Sequence, residues 1–135
     1  MAAFSSAQEL RDIFGGFMQK MGAAEGGGFS SSGVILAYTV TDPDARFVID
    51  GSVKPTPGRA FAVHIDDPAA PEPHADIFMS ADTLDKLYKG ELQVMAAQAE
   101  GLVKAKGDPL VAMRLLPVMF RVVPLYRAYR EKLGK

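Results

Sequence analysis

Gly33-Val34-Ile35-Leu36-Ala37-Tyr38-Thr39-Val40, then Asp42-Pro43-Asp44-Ala45, then Arg46-Phe47-Val48-Ile49-Asp50 is the stretch on which the architecture turns. Two runs rich in β-branched and aromatic residues flank a cluster of turn formers, with proline pre-set for the second turn position. That is a hairpin. Downstream, Phe61, Val63 and Ile65 alternate with small or polar residues, as in a half-buried strand. Between Asp67 and Pro73 three prolines forbid a strand interior. Asp76-Ile77-Phe78-Met79-Ser80 then reads as a fourth strand of a meander.

Helical spacing lies on both sides of this block. Ser6 caps a first helix, and Glu9 three residues later completes a capping box. Leu10, Ile13, Phe14, Phe17, Met18 and Met21 form its apolar stripe, which should stop near Gly22. Gly26–Gly28 and Ser30–Ser32 read as a connector. After Ser80, Leu84, Leu87 and Tyr88 share one helical face that ends at Gly90. Leu92, Val94, Met95 and Ala99 begin another stretch, closed by Gly101. Leu102–Lys106 is a short strand. Asp108-Pro109 is an N-cap followed by proline at the first helical position, so a last helix starts there. Pro117 and Pro124 are expected to kink or segment it. The fold class is therefore α+β, a mostly antiparallel sheet with helices on one face.

The chain has 135 residues, 48% hydrophobic and 23% charged, which suits one globular domain. It lacks cysteine, which excludes disulfides, thiolate nucleophiles and cysteine-ligated metal centres. A net charge of −1 argues against nucleic acid as a partner. From Arg114 onward, however, six basic residues face one acid, Glu131. A basic tail on an acidic body points to an anionic surface or to self-docking. The N-terminus has no secretory pattern and Leu110–Tyr126 is too charged to span a bilayer, so a cytoplasmic protein is expected.

Catalytic chemistry is not visible. His64 and His74, with Asp66, Asp67 and Asp76 nearby, lack the tight spacing of a metal site. Ser80 and His64 could meet across strands, but no nucleophile elbow surrounds Ser80, and capping explains it better. The glycine triplet has no following Lys-Ser/Thr and so is no phosphate loop. Apolar surplus is what stands out. Met18, Met21, Met79, Met95, Met113 and Met119 lie in wide apolar faces, where flexible thioethers adapt to irregular space. Such faces serve either a plain core or the lining of an apolar ligand site.

Ala75-Asp76-Ile77-Phe78-Met79-Ser80, Leu84-x-x-Leu87-x-x-Gly90, Ala97, Gly101-Leu102-Val103-Lys104-Ala105-Lys106-Gly107-Asp108 and Ala112-Met113-Arg114-Leu115 resemble the sterol-binding domain of the sterol carrier protein type-2 family. Phe47-Val48-Ile49-Asp50-Gly51 suits that family's second strand. The resemblance covers roughly residues 5–116 and runs from Met79 to Leu115 without an insertion. It implies a five-stranded sheet, helices packed on one face and an apolar tunnel between them. It implies non-catalytic binding of sterol, fatty acid, acyl-CoA or phospholipid, with no cofactor and no metal. The family's usual chain stops soon after the motif or ends in a peroxisomal tripeptide. This one continues through Tyr126-Arg127-x-Tyr129-Arg130 and ends Glu131-Lys132-Leu133-Gly134-Lys135.

Residues 1–116 are thus expected to form the lipid-binding domain, and 117–135 a basic amphipathic helical extension. Phe14, Phe17, Met18, Leu87, Met95, Met113, Leu116 and Phe120 are the expected pocket lining, with Phe47, Ile49 and Phe78 from the sheet. Arg121, Tyr126, Arg127, Tyr129 and Arg130 are the expected contacts to an anionic membrane surface, unless the tail plugs the pocket or makes a homodimer. Two rivals are a small cone-shaped enzyme acting on an apolar substrate and a cavity-free module that docks on a partner enzyme. The cone folds place their helices first and their long strands last, whereas here helices close the chain.

Overall fold

The computed structural model describes residues 3–20, 33–54 and 61–134, and for 111–120 the backbone alone. The 26–32 connector, the Met21–Gly22 helix end, most of the loop through Pro57 and the side chains of Met113, Leu116 and Phe120 lie outside the described residues.

The chain opens with helix α1 (Ala7–Leu10), a π turn over Arg11–Gly15 and helix α2 (Gly16–Gln19). Ser6 caps the helix as expected: Glu9 N–H donates to Ser6 Oγ at 3.1 Å, while the Glu9 carboxylate reaches back one residue past the cap to accept from Ser5 N–H at 3.1 Å. Strands β1 (Ile35–Thr41) and β2 (Ala45–Asp50) make the expected antiparallel hairpin. Strand β3 (Ala62–Ile65) adds antiparallel to β2. Strand β4 (Ala75–Ser80) does not continue the meander. It crosses over and lies parallel to β1, because the proline-rich connection carries the chain back past the hairpin. Helices α3 (Ala81–Tyr88) and α4 (Val94–Ala99) follow. Strand β5 (Lys104–Gly107) then pairs antiparallel with β4, and helix α5 (Pro109–Leu133) closes the chain. The sheet order is β3-β2-β1-β4-β5, with one parallel pair in an otherwise antiparallel sheet.

The caps read from sequence hold. Ser80 Oγ accepts from Thr83 N–H, and Asp108 Oδ1 accepts from Leu110 N–H with Pro109 opening the helix. Helix α5 does not segment at Pro117 or Pro124. Each proline removes a single backbone hydrogen bond, while Val122, Tyr126 and Arg130 anchor the second half in the interior. The segment from 117 onward, set apart on sequence, contributes Val122 and Tyr126 to the same core as Phe14 and Leu84.

Register fixes the two sheet faces. Leu36, Tyr38 and Val40 pair with Ile49, Phe47 and Ala45 on one side and with Ala75, Ile77 and Met79 on the other. All nine are buried, and they face the helices. The opposite face is mostly polar. There Arg46 Nη2 reaches Asp76 Oδ2 at 3.1 Å and Thr39 Oγ1 donates to Asp76 at 2.8 Å, a rung across β2, β1 and β4.

Two glycines set close approaches. At Gly15 a Cβ would stand 2.5 Å from Ile65 Cδ1 and 3.4 Å from Phe47 Cε1, so the π turn sits directly on β2 and β3. Gly107 has φ +100° and ends β5 against the His74 carbonyl oxygen. Gly107→Ala is expected to lower stability by at least about 2 kcal/mol, from backbone strain and that clash. Urea unfolding checks this; an unchanged midpoint would contradict the placement.

Candidate functional site

The layer between helices and sheet is built around Phe14, which is fully buried. Its helical stripe position aims it at the sheet. Its ring meets Tyr38, Phe47 and Tyr88 edge-on, with centroids 5.9, 5.0 and 4.9 Å away, and approaches Tyr126 at 6.4 Å. Phe17 extends the cluster to Tyr126 at 5.1 Å and Tyr129 at 5.4 Å. One aromatic layer thus joins α1–α2, β1, β2, α3 and α5.

Polar groups enter this layer at two places. Tyr38 and Tyr88 share a buried hydroxyl–hydroxyl hydrogen bond of 2.6 Å. At the α3–α5 seam, Tyr126 donates to Asp85 Oδ1 at 2.8 Å, Lys89 Nζ lies 2.9 Å from Asp85 Oδ2, and Arg130 Nη2 lies 3.6 Å from Asp85 Oδ1. Asp85 and Arg130 are both buried. The Arg130 guanidinium rests 4.9 Å from the Phe4 ring centre and 5.9 Å from that of Tyr126.

Burial pushes the Tyr38 hydroxyl well above its ordinary range, with Tyr88 adding to the shift. Tyr88 is raised by burial too, against a smaller opposing effect of its bond to Tyr38. Tyr126 is raised by burial first and then by the Asp85 carboxylate. All three hydroxyls therefore stay protonated across physiological pH. The linkage has a definite sign. A hydroxyl whose folded pKa is raised contributes stability that is fully present below its unfolded pKa near 10 and is lost as pH climbs through the folded value. Stability should fall steeply above pH 10, by up to about 1.4 kcal/mol per pH unit for each tyrosine. A pH series of unfolding midpoints checks this; a flat profile to pH 11 would show these hydroxyls are not buried. The Asp67 carboxyl is held low by the Ala69 backbone N–H and then by His64, at an exposed turn.

The residues singled out from sequence divide. Phe14, Phe17, Met18, Phe47, Ile49 and Leu87 come together in the helix–sheet layer. Phe78 does not: it sits on the polar sheet face by register, with Lys106 Nζ 5.2 Å above its ring. The strand period of two that aims Ile77 and Met79 inward turns Phe78 outward. Met95 is 66% exposed on α4, where Ala97 instead makes the buried contact. Of the expected membrane contacts, Arg121 and Arg127 are exposed. Tyr126 and Arg130 are buried at the Asp85 seam instead, and Tyr129 packs half-buried against Phe17 beneath Lys20. Tyr126 falls four residues after Val122 and four before Arg130, so the three stack on the inward face of α5.

His64 and Ser80 are kept apart by β2 and β1, roughly 14 Å of sheet, so they form no pair. His64 bonds Asp67, and His74 Nδ1 accepts from Ile35 N–H. Among the described residues no three His, Asp or Glu side chains gather for a metal ion, and no helix is long and apolar enough to cross a membrane. Sequence reasoning missed Asp85, Tyr38 and Tyr88. Asp85 was signalled by its place between Ala81 and Tyr88 on the same helical face, an acid inside an apolar stripe.

No family model matches the sequence, and no curated protein matches it. Solved structures do match. The sterol carrier protein domain 2 of Helicoverpa armigera superposes with TM-score 0.65 at 15% identity, over 91% of this chain and 96% of that one. A conserved hypothetical protein of Thermus thermophilus, described as possibly a sterol carrier protein, gives 0.61 at 18%, over 96% and 95%. The stereoselective inverting sec-alkylsulfatase Pisa1 from Pseudomonas sp. gives 0.54 at 14%, over 76% of this chain. This chain spans 14% of the sulfatase's length, so there the fold is one part of a larger enzyme. The protein has the fold of sterol carrier protein 2 domains.

Proposed function

We propose that the protein binds an apolar lipid in the layer between its sheet and its helices and carries it without chemically changing it. The observation that carries this reading is the fold shared end to end with a sterol carrier protein domain. The apolar faces of α1–α2, α3 and the sheet supply the walls. Phe14, Phe17, Met18, Phe47, Ile49 and Leu87 are the proposed lining, and Met113, Leu116 and Phe120 are proposed to complete it from α5.

The driving force is desolvation. Each methylene leaving water contributes about 0.8 kcal/mol, so a long acyl chain offsets the ordering cost of association. Selectivity along the chain is then loose, because apolar walls discriminate poorly between neighbouring chain lengths. Titration with cis-parinaric acid tests the proposal, since this fatty acid fluoresces in apolar surroundings. Saturable uptake at one ligand per chain, reversed by oleate or by a sterol, is the expected result. Emission that never saturates, or no rise at all, would end the carrier reading.

A further inference from the structure

We propose that Arg130 anchors the head of the bound lipid, its guanidinium taking the anionic oxygens of a carboxylate or phosphate ester at the α3–α5 end of the apolar layer. This rests on the lipid-binding reading above and names the ligand's chemistry.

Arg130 is 5% exposed. Of its nitrogens, Nη2 alone has company: the Ala3 carbonyl at 3.5 Å and Asp85 Oδ1 at 3.6 Å, the latter beyond hydrogen-bond range. Nε and Nη1 are buried with no acceptor, and among the described residues they are the only buried side-chain nitrogens or oxygens in that state. Three of the five guanidinium N–H donors are therefore unspent. Leaving such donors buried and unpaired is costly, more so on a charged group, and native interiors rarely tolerate it.

The surroundings do not remove the deficit. The Phe4 and Tyr126 rings offer cation–π attraction but no oxygen acceptor. Asp85 is already taken by the Tyr126 hydroxyl and by Lys89. Arg130 and Lys89 both approach this carboxylate, and Asp82, one turn earlier on α3, accepts from the Ala3 N–H. An anion with two or three acceptor oxygens matches the vacant donors. Tyr126 belongs to this seam and to the aromatic layer alike, so a head at Arg130 continues into a chain alongside Phe14 and Phe17.

Phe4 covers the guanidinium. The covering segment is held by Ala3, whose N–H donates to Asp82 Oδ1 at 2.8 Å and whose carbonyl faces Arg130. Entry of a head displaces Phe4 and exchanges the weak Ala3–Arg130 bond for charge-assisted ones.

The test compares four probes on the full chain by calorimetric titration: oleate, oleyl alcohol, monooleoyl phosphate and inorganic phosphate. The same titrations are run on Arg130→Met, which keeps the stem and removes the donors. Asp85 retains Lys89 and Tyr126 in that variant, and an unfolding curve confirms its fold. Expected is at least tenfold tighter binding of an anionic chain than of oleyl alcohol by the wild-type protein, a preference that Arg130→Met abolishes while its affinity for the alcohol stays. Whichever of oleate and monooleoyl phosphate binds more tightly identifies the head. Equal affinity of the wild-type protein for oleate and oleyl alcohol overturns the anchor and leaves the carrier reading standing, an outcome that does not depend on the variant folding. Inorganic phosphate binding as tightly as the lipids overturns it too, by showing a free-anion site. No uptake of any chain-bearing probe overturns both.

Discussion

Phe14→Ala is expected to cost about 3–5 kcal/mol and to leave a substantial unfolded fraction at room temperature. The ring is the hub of the interior, edge-on to Tyr38, Phe47 and Tyr88 and within reach of Tyr126. Truncation removes the transfer energy of a whole phenyl group. It also leaves a hole that three elements cannot close, because the Gly15 backbone already touches β2 and β3. Phe14→Leu keeps most of the volume and should cost markedly less. Urea midpoints measure both. A loss below about 1 kcal/mol for Phe14→Ala would mean the layer is not packed on this ring.

Asp85→Leu is the second large effect, expected at about 3–5 kcal/mol. The side chain is buried, so the cost is not that of a surface ion pair. Removing the carboxylate leaves Arg130 as an uncompensated interior charge and strands the Tyr126 hydroxyl, which has no other partner among the described residues. Lys89 escapes this penalty because its amine is partly solvated and can turn outward. The double variant Asp85→Leu/Arg130→Met should recover a large part of the loss, since it removes the buried charge as well as its partner. Thermal unfolding of the two singles and the double closes the cycle. Strict additivity would show that the two groups do not interact.

Most of the secondary structure was legible in the sequence because local chemistry decides it. Ser6, Ser80 and Asp108 cap helices where their side chains alone can reach unpaired backbone N–H groups, and the prolines between Asp67 and Pro73 keep that stretch out of the sheet. Strand order was not legible. Whether β4 lies beside β3 or β1 depends on pairings far apart in the chain, to which alternation is blind. The inward set was legible for α1–α2 and α3, where Phe14, Phe17, Met18 and Leu87 share stripes, but not for α4, where Met95 faces solvent and Ala97 is buried. Phe78 shows the opposite case: it shares a face with Asp76 and Ser80, so alternation already set it apart from Ile77 and Met79, and apolarity alone pointed inward. The tail misled for a physical reason. Arg130 looks like a solvated cation by composition, and its buried partner Asp85 lies 45 positions earlier, a pairing that only tertiary structure reveals.

Photolabelling with a diazirine-bearing fatty acid, mapped by peptide mass spectrometry, tests lipid carriage in the interior layer most directly. The expected result is one label per chain, displaced by oleate, on residues such as Phe14, Phe47, Leu87 or Tyr126. Labelling confined to the polar sheet face around Arg46, Asp76 and Phe78, or labelling that oleate does not displace, would contradict it.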